Sequence, residues 1–184
     1  KTDEDYWVSQ RITRGVASTY PGEEERHTLI IDCRVIPFAK RARYYVDGIP
    51  LVTPSVRRVP HWAISPRAKT HNYINMVLAD LEVRASNPSA WALLLDERGN
   101  VAEGQGCNVF VVKDGMLITP KEQYVLSGVT RSVIIELADS LNIPFKEADI
   151  DLYDAYTSEE VFFTSTSLCV CPVSSINGNI LGKK

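Results

Sequence analysis

Apolar and polar positions alternate along the 184-residue chain in a way that divides it into short strands, tight turns and two longer helical stretches. Tyr6 to Gly15, YWVSQRITRG, mixes aromatic and β-branched residues as a strand does and stops at a glycine. A turn at Pro21-Gly22 and an acidic tip, Glu23-Glu24-Glu25, lead into a second strand, HTLIIDCRVI. Two strands do not fold alone, so their sheet has members that are missing or lie later in the chain. Pro37 to Arg43 reads as a basic connector, and Tyr44 to Thr53 as a strand pair around the Asp47-Gly48 turn signal.

From about Arg67 to Ala85 the pattern turns helical: Tyr73, Val77 and Leu81 form one stripe, with Ile74 and Leu78 beside it. AWALLLD is a short strand that turns over Glu97-Arg98-Gly99-Asn100, and NVFVVKDGMLITP is a hairpin with Asp114-Gly115 at its tip. VTRSVIIELADSLNI is a second amphipathic helix, its stripe carried by Val133, Ile134, Leu137, Ala138 and Leu141. A strand at Pro144 to Glu147, a short helix at Leu152 to Thr157, the strand EVFFTST and a hairpin at Asn177-Gly178 complete the order. Helices interleave with strands, yet several strand pairs are joined by tight turns. That combination predicts an α/β (α+β) fold with a mixed, barrel-like sheet.

Composition changes this picture little. With 45% hydrophobic and 23% charged residues and a net charge of −3, the chain reads as a globular protein without the clustered basic face that nucleic acid requires. Lys40-Arg41-Ala42-Arg43 and Arg57-Arg58 are read as solvated connectors. No apolar run reaches the length of a membrane span. The four cysteines (Cys33, Cys107, Cys169, Cys171) form no CxxC pair, and His27, His61 and His71 are scattered, so no metal site is expected. Cys169 and Cys171, two apart, are predicted to share one strand face as buried reduced thiols, which fits a cytoplasmic protein. The chain opens on Lys1, not Met, which points to processing or truncation.

Four stretches offer chemistry. In SPRAKTHNYINM, Lys69 sits behind a proline at the mouth of the first long helix, with Tyr73 at i+4. On the buried side of a helix N-terminus, desolvation and the local positive potential would both favour a neutral amine, as Schiff-base chemistry requires; the alternative is a lysine that reaches solvent. In NVAEGQGCNVF, Glu103 precedes a flexible glycine segment that lets backbone approach a ligand; the alternative is an exposed turn glutamate. In LSGVTRSVII, Gly128 opens a helix whose first N–H groups, near Val129 and Thr130, suit an anion such as phosphate, or simply make an ordinary helix start. In FFTSTSLCVCP, Thr164, Ser165, Thr166 and Ser167 form a second hydroxyl-rich candidate cradle, or a polar turn.

Taken in order and spacing, a lysine before a helix, EG before a hairpin, GVTR opening a helix and TST after a strand resemble the class IV (fold type IV) pyridoxal-phosphate aminotransferases. That family includes branched-chain and D-amino-acid aminotransferases, (R)-selective amine transaminases and aminodeoxychorismate lyase. The resemblance spans residues 60 to 178 closely and 6 to 36 more loosely. It implies pyridoxal 5'-phosphate as cofactor, Lys69 as the catalytic Schiff-base lysine, Tyr73 on the phenolic oxygen and Glu103 on the pyridine nitrogen. Leu126 would pack on the ring face, and Val129, Thr130 and Thr166 would take the phosphate. It further implies transamination between an amino acid or primary amine and a keto acid, in a cytoplasmic homodimer with neither nucleic-acid nor membrane partners. The implied division is 1–38 as the remnant of a small N-terminal domain, 39–43 as a linker, and 44–184 as the large cofactor-binding domain lacking its final helix. Where D-amino-acid members carry an Arg-x-His carboxylate trap, this sequence has Thr19, Tyr20 and Pro21, which lowers that reading. The alternatives are a lyase of the aminodeoxychorismate type and a folded but inactive fragment.

Overall fold

The computed structural model describes residues 4–16, 20 and 26–182; the expected turn at Pro21-Gly22 and its acidic tip lie outside them. The chain divides into two units, Lys1–Arg41 and Ala42–Lys184. In the first, β1 (Tyr6–Val16) and β2 (Arg26–Val35) form an antiparallel pair of their own, with Tyr6 opposite Val35 and Thr13 opposite Thr28. Asp32 ties the two strands by accepting Arg11 from β1 and its own neighbour Arg34.

The segment expected to be a connector and then a strand pair is instead a helix, α1 (Phe38–Asp47), followed by strand β3 (Ile49–Val52). Residues 39–43 therefore run within a helix. Gly48 explains the misreading: its φ of 75° and its N–H bond to the Tyr44 carbonyl (3.0 Å) end a helix, so Asp-Gly punctuates here without turning a hairpin. A Cβ on Gly48 would also stand 2.8 Å from the Ser174 backbone nitrogen.

The second helix, α2 (Ile74–Ser86), starts at Ile74 and not near Arg67, because His71 sits in the left-handed region (φ 59°) and breaks any earlier helical path. The remaining elements are β4 (Trp91–Leu95), β5 (Val101–Gly104), β6 (Cys107–Lys113), β7 (Met116–Pro120), α3 (Val129–Ser140), β8 (Phe145–Ala148), α4 (Leu152–Tyr156), β9 (Glu160–Ser165), β10 (Cys169–Ile176) and β11 (Asn179–Ile180). The hairpin tips at Asp114-Gly115 and Asn177-Gly178 have positive φ at both residues, as two-residue hairpin turns demand. No helix among the described residues is long and apolar enough to cross a membrane.

Six strands close a ring in the order β3-β4-β5-β6-β9-β10 and back to β3, while β7 and β8 extend from β6 and β11 from β10. The β10·β3 and β3·β4 pairs are parallel and the other four in the ring antiparallel, so this is the mixed, barrel-like sheet the pattern predicts. Side chains alternate across its wall. Leu93, Leu95, Val101, Cys107, Val109, Val111, Phe163 and Cys171 fill the interior. On the outside, Ala92 and Leu94 pack under α2 through Met76, Ala79 and Val83, while Phe110 packs under α3 through Ala138. The expectation that Cys169 and Cys171 are both buried on one face fails: Cys169 adopts φ 57° and is exposed, and Cys171 alone is buried.

One irregularity in the wall has chemical consequences. Leu95 pairs with Val101 and Leu94 with Glu103, so Ala102 is an extra residue on β5, a bulge. Strict alternation would place Glu103 on the same side as Val101, inside the apolar core. The bulge returns Glu103 to the outer face, where it stands opposite Asn108 on β6, which in turn stands opposite Thr164 on β9.

Candidate functional site

These three outer-face residues, Glu103, Asn108 and Thr164, are all buried and form the floor of a cavity of about 390 Å³ between the beginnings of α2 and α3. All seven residues singled out from the sequence line this one cavity: Lys69, Tyr73, Glu103, Leu126, Val129, Thr130 and Thr166. A second cavity of about 310 Å³, lined by Lys113, Lys146 and Asp154 among others, contains none of them.

Lys69 reaches the cavity from a coil, not from a helix. It lies exposed in the loop ahead of α2, so the expected i, i+4 alignment with Tyr73 along a helix face does not form. Tyr73 is the N-cap of α2. The loop that carries Lys69 is pinned at its start. The Ser55 N–H and hydroxyl donate to the two oxygens of Glu82 (2.7 and 2.8 Å), and the Arg58 N–H donates to the Leu95 carbonyl (2.8 Å).

Arg58 is the residue that sequence reasoning misplaced. Far from being a solvated connector, its side chain is only 11% exposed and its guanidinium donates to Glu103 Oε1 at 2.5 Å. A buried glutamate needs a counter-charge, but in the sequence Glu103 stands before a glycine segment that also suits an exposed turn. Nothing local says that a cation 45 positions earlier supplies the counter-charge. Burial pushes the Glu103 carboxyl above its usual range. The Arg58 charge, the Leu126 N–H and the Lys69 charge pull it back. The net direction is upward, so Glu103 is a carboxylate with a heightened affinity for a proton.

Asn108 was not foreseen either, and it fixes the opposite wall. Its amide donates to the Leu126 carbonyl (2.8 Å), while the Leu126 N–H donates to Glu103 Oε2 (3.2 Å). Both backbone groups of Leu126 are thus held by the floor, and the chain is delivered to Gly128 at a set height. A Cβ at Gly128 would stand 2.1 Å from Asn108 Oδ1, so a larger residue there would have to displace the Asn108 amide that holds Leu126. Gly128 has no side chain to cap α3. The first residues of that helix, Val129 and Thr130, line the cavity, at the end of the helix where the N–H groups lack helical partners and the dipole is positive. Thr166 lines the cavity just beyond the end of β9.

The arrangement has two poles. One is a buried carboxylate backed by an arginine, suited to a protonated ring nitrogen. The other is a helix start with threonine hydroxyls, suited to a phosphate. An amine, Lys69, stands at the rim. A phosphorylated heteroaromatic aldehyde such as pyridoxal phosphate matches this donor set, and the close crossing of Gly128 over Asn108 leaves its anion end free of side-chain bulk.

Comparison with known proteins identifies the family of the chain. The family model described as Amino-transferase class IV matches residues 7–176. The branched-chain-amino-acid aminotransferase of Pseudomonas aeruginosa is 39% identical over 138 residues, 74% of this chain and 44% of that protein. The crystal structure of the Escherichia coli branched-chain amino acid aminotransferase superposes with a TM-score of 0.87 at 29% identity, over 97% of this chain and 60% of that one. The branched-chain amino acid aminotransferase from Thermobaculum terrenum, crystallised in its PLP form (the holo form), gives 0.82 at 28% identity, over 96% and 58%. The chain thus spans less than two thirds of the length of each of these proteins.

Proposed function

The chain belongs to the class IV amino-transferases, and on that premise we propose that it serves pyridoxal-phosphate-dependent transamination between an amino acid or primary amine and a keto acid. The observation that carries this reading is the convergence of Lys69, Glu103 with its buried Arg58 partner, and the α3 start on one cavity. The names of the relatives favour a branched-chain aliphatic amino acid as donor. In the same reading residues 1–38 belong to a small domain, 44–184 form the cofactor-binding domain, and the working assembly is a homodimer.

When bound, pyridoxal phosphate supplies an electron sink that stabilises the charge left at a substrate Cα when its proton departs. The residues of the chain then have separate tasks. Lys69 would hold the cofactor through its aldehyde, and its amine would take and return the proton at the substrate Cα. Glu103 would keep a proton at the ring nitrogen, its burial raising its affinity for that proton and the Arg58 charge opposing the rise. The Val129 and Thr130 N–H groups, with Thr166, would hold the phosphate; Leu126 would support the ring face and Tyr73 would take the phenolic oxygen.

Borohydride treatment of the intact, cofactor-replete protein followed by peptide mass mapping tests the assignment. A pyridoxyl adduct on Lys69 is expected, and an unmodified Lys69 overturns the reading. Conversion of the cofactor to its amine form on adding an amino donor identifies transamination. Release of pyruvate without that conversion would identify a lyase.

A further inference from the structure

Three buried side-chain polar atoms lack a hydrogen-bond partner among the described residues: Asn75 Oδ1, Arg131 Nε and Thr164 Oγ1. Of these residues only Thr164 lines the cavity. It is fully buried, and its neighbour Phe163 points into the barrel core, so strand alternation turns Thr164 outward to the cavity floor. A buried hydroxyl that donates to nothing sacrifices its bonds to water without recompense, which a fold tolerates where a ligand completes the bond.

The position of Thr164 tells which part of a ligand it meets. It stands two ladder steps from Glu103, through Asn108, or about 10 Å across the wall at ordinary strand spacing. β9 packs beneath α3, with Phe162 in one apolar cluster with Ile134, Ile135 and Ala138, and Thr166, two residues on from Thr164, lines the cavity together with the α3 start. Thr164 therefore sits at the anion pole and not at the ring-nitrogen pole. Building on the cofactor reading above, we propose that the Thr164 hydroxyl is a further phosphate-binding group of this site, donating to the phosphate of the bound cofactor from the cavity floor.

Thr164→Val keeps the branched shape and removes only the hydroxyl, so it separates this role from a structural one. Cofactor-free protein should melt at the same temperature as wild type, or higher, because an unsatisfied hydroxyl has been replaced by a methyl group. Affinity for pyridoxal phosphate, read by absorbance titration, should fall about tenfold, the loss of one charge-assisted hydrogen bond. Affinity for pyridoxal, which lacks the phosphate, should not change. Thr164→Ser should restore tight binding, and Thr164→Ala supplies the same comparison if the valine variant does not fold. Unchanged affinity for pyridoxal phosphate, or equal weakening toward pyridoxal, overturns the proposal. So does a lowered melting temperature of the cofactor-free protein with affinity intact. Wild-type protein that takes up no pyridoxal phosphate overturns the cofactor reading itself, a result distinct from any of these.

Discussion

On the inner side of the barrel wall Leu93, Val109 and Phe163 belong to one buried apolar cluster, while on the outer side of adjoining positions Glu103, Asn108 and Thr164 are also buried but polar. The same strands supply both faces, and the physics that holds each differs. Apolar packing inside is non-directional: each side chain contributes through excluded water and close contact, whatever its exact neighbour. The outer row depends on direction, because every buried polar atom needs a partner of the right kind. Glu103 has Arg58 and the Leu126 N–H, Asn108 has the Leu126 carbonyl, and the Thr164 hydroxyl has none. The inner face thus carries most of the stability, and the outer face carries the chemistry.

The largest effect is expected from the inner face. Phe163→Ala should lower stability by about 3–5 kcal/mol, the range for emptying a fully buried aromatic site, and denaturant unfolding measures it. A loss below about 1 kcal/mol would mean the barrel interior is not the main store of stability. Arg58→Ala comes next and tests the outer row. At pH 8 it should cost about 3 kcal/mol, because it leaves a buried carboxylate without its counter-charge. The folded-state affinity of Glu103 for protons is already raised by burial and would rise further without Arg58. Stability tied to such a group is present at low pH and lost as pH climbs through its folded value. The Arg58→Ala penalty should therefore shrink on acidification; a penalty independent of pH would contradict an ion-pair origin. Asn108→Ala should be smallest, about 1 kcal/mol for one hydrogen bond. It should also weaken pyridoxal phosphate binding by loosening Leu126 and the α3 start, and an equilibrium titration checks that.

These contrasts mark how far the sequence could be read. The hairpins at Asp114-Gly115 and Asn177-Gly178 and the buried strand of β6 rest on local propensities, and they appear as the pattern implies. The two long helices form as well, but their predicted stripes are not the core faces: Val77, Leu81, Val133, Leu137 and Leu141 are exposed, and the buried apolar positions are Met76, Ala79, Val83 and Ala138, of which only Ala138 belongs to a predicted stripe. Asp47-Gly48 carries the same turn signal yet closes a helix, because the signal reports a left-handed residue and not what precedes it. Lys69 was picked out on the premise of a helix N-terminus that actually begins five residues later, at Ile74. With that premise gone, family order and not local physics supports it. Arg58 was passed over since a pair of arginines in a proline-flanked loop looks solvated until its partner is known.

By itself the sequence determined the strands and helices with strong periodicity, the two hairpin tips and the family to which the chain belongs, because each is encoded over short distances or in fixed motif order. Only the tertiary structure decided which way Glu103 points. Its neighbours Val101 and Ala102 read as an ordinary apolar strand, and a one-residue bulge against β4 is set by pairing between strands, not by β5 alone. That single extra residue moves a carboxylate from an apolar core to a cavity floor beside Arg58. The physical reason is the two-residue period of a strand: one residue of register exchanges the two faces of the wall.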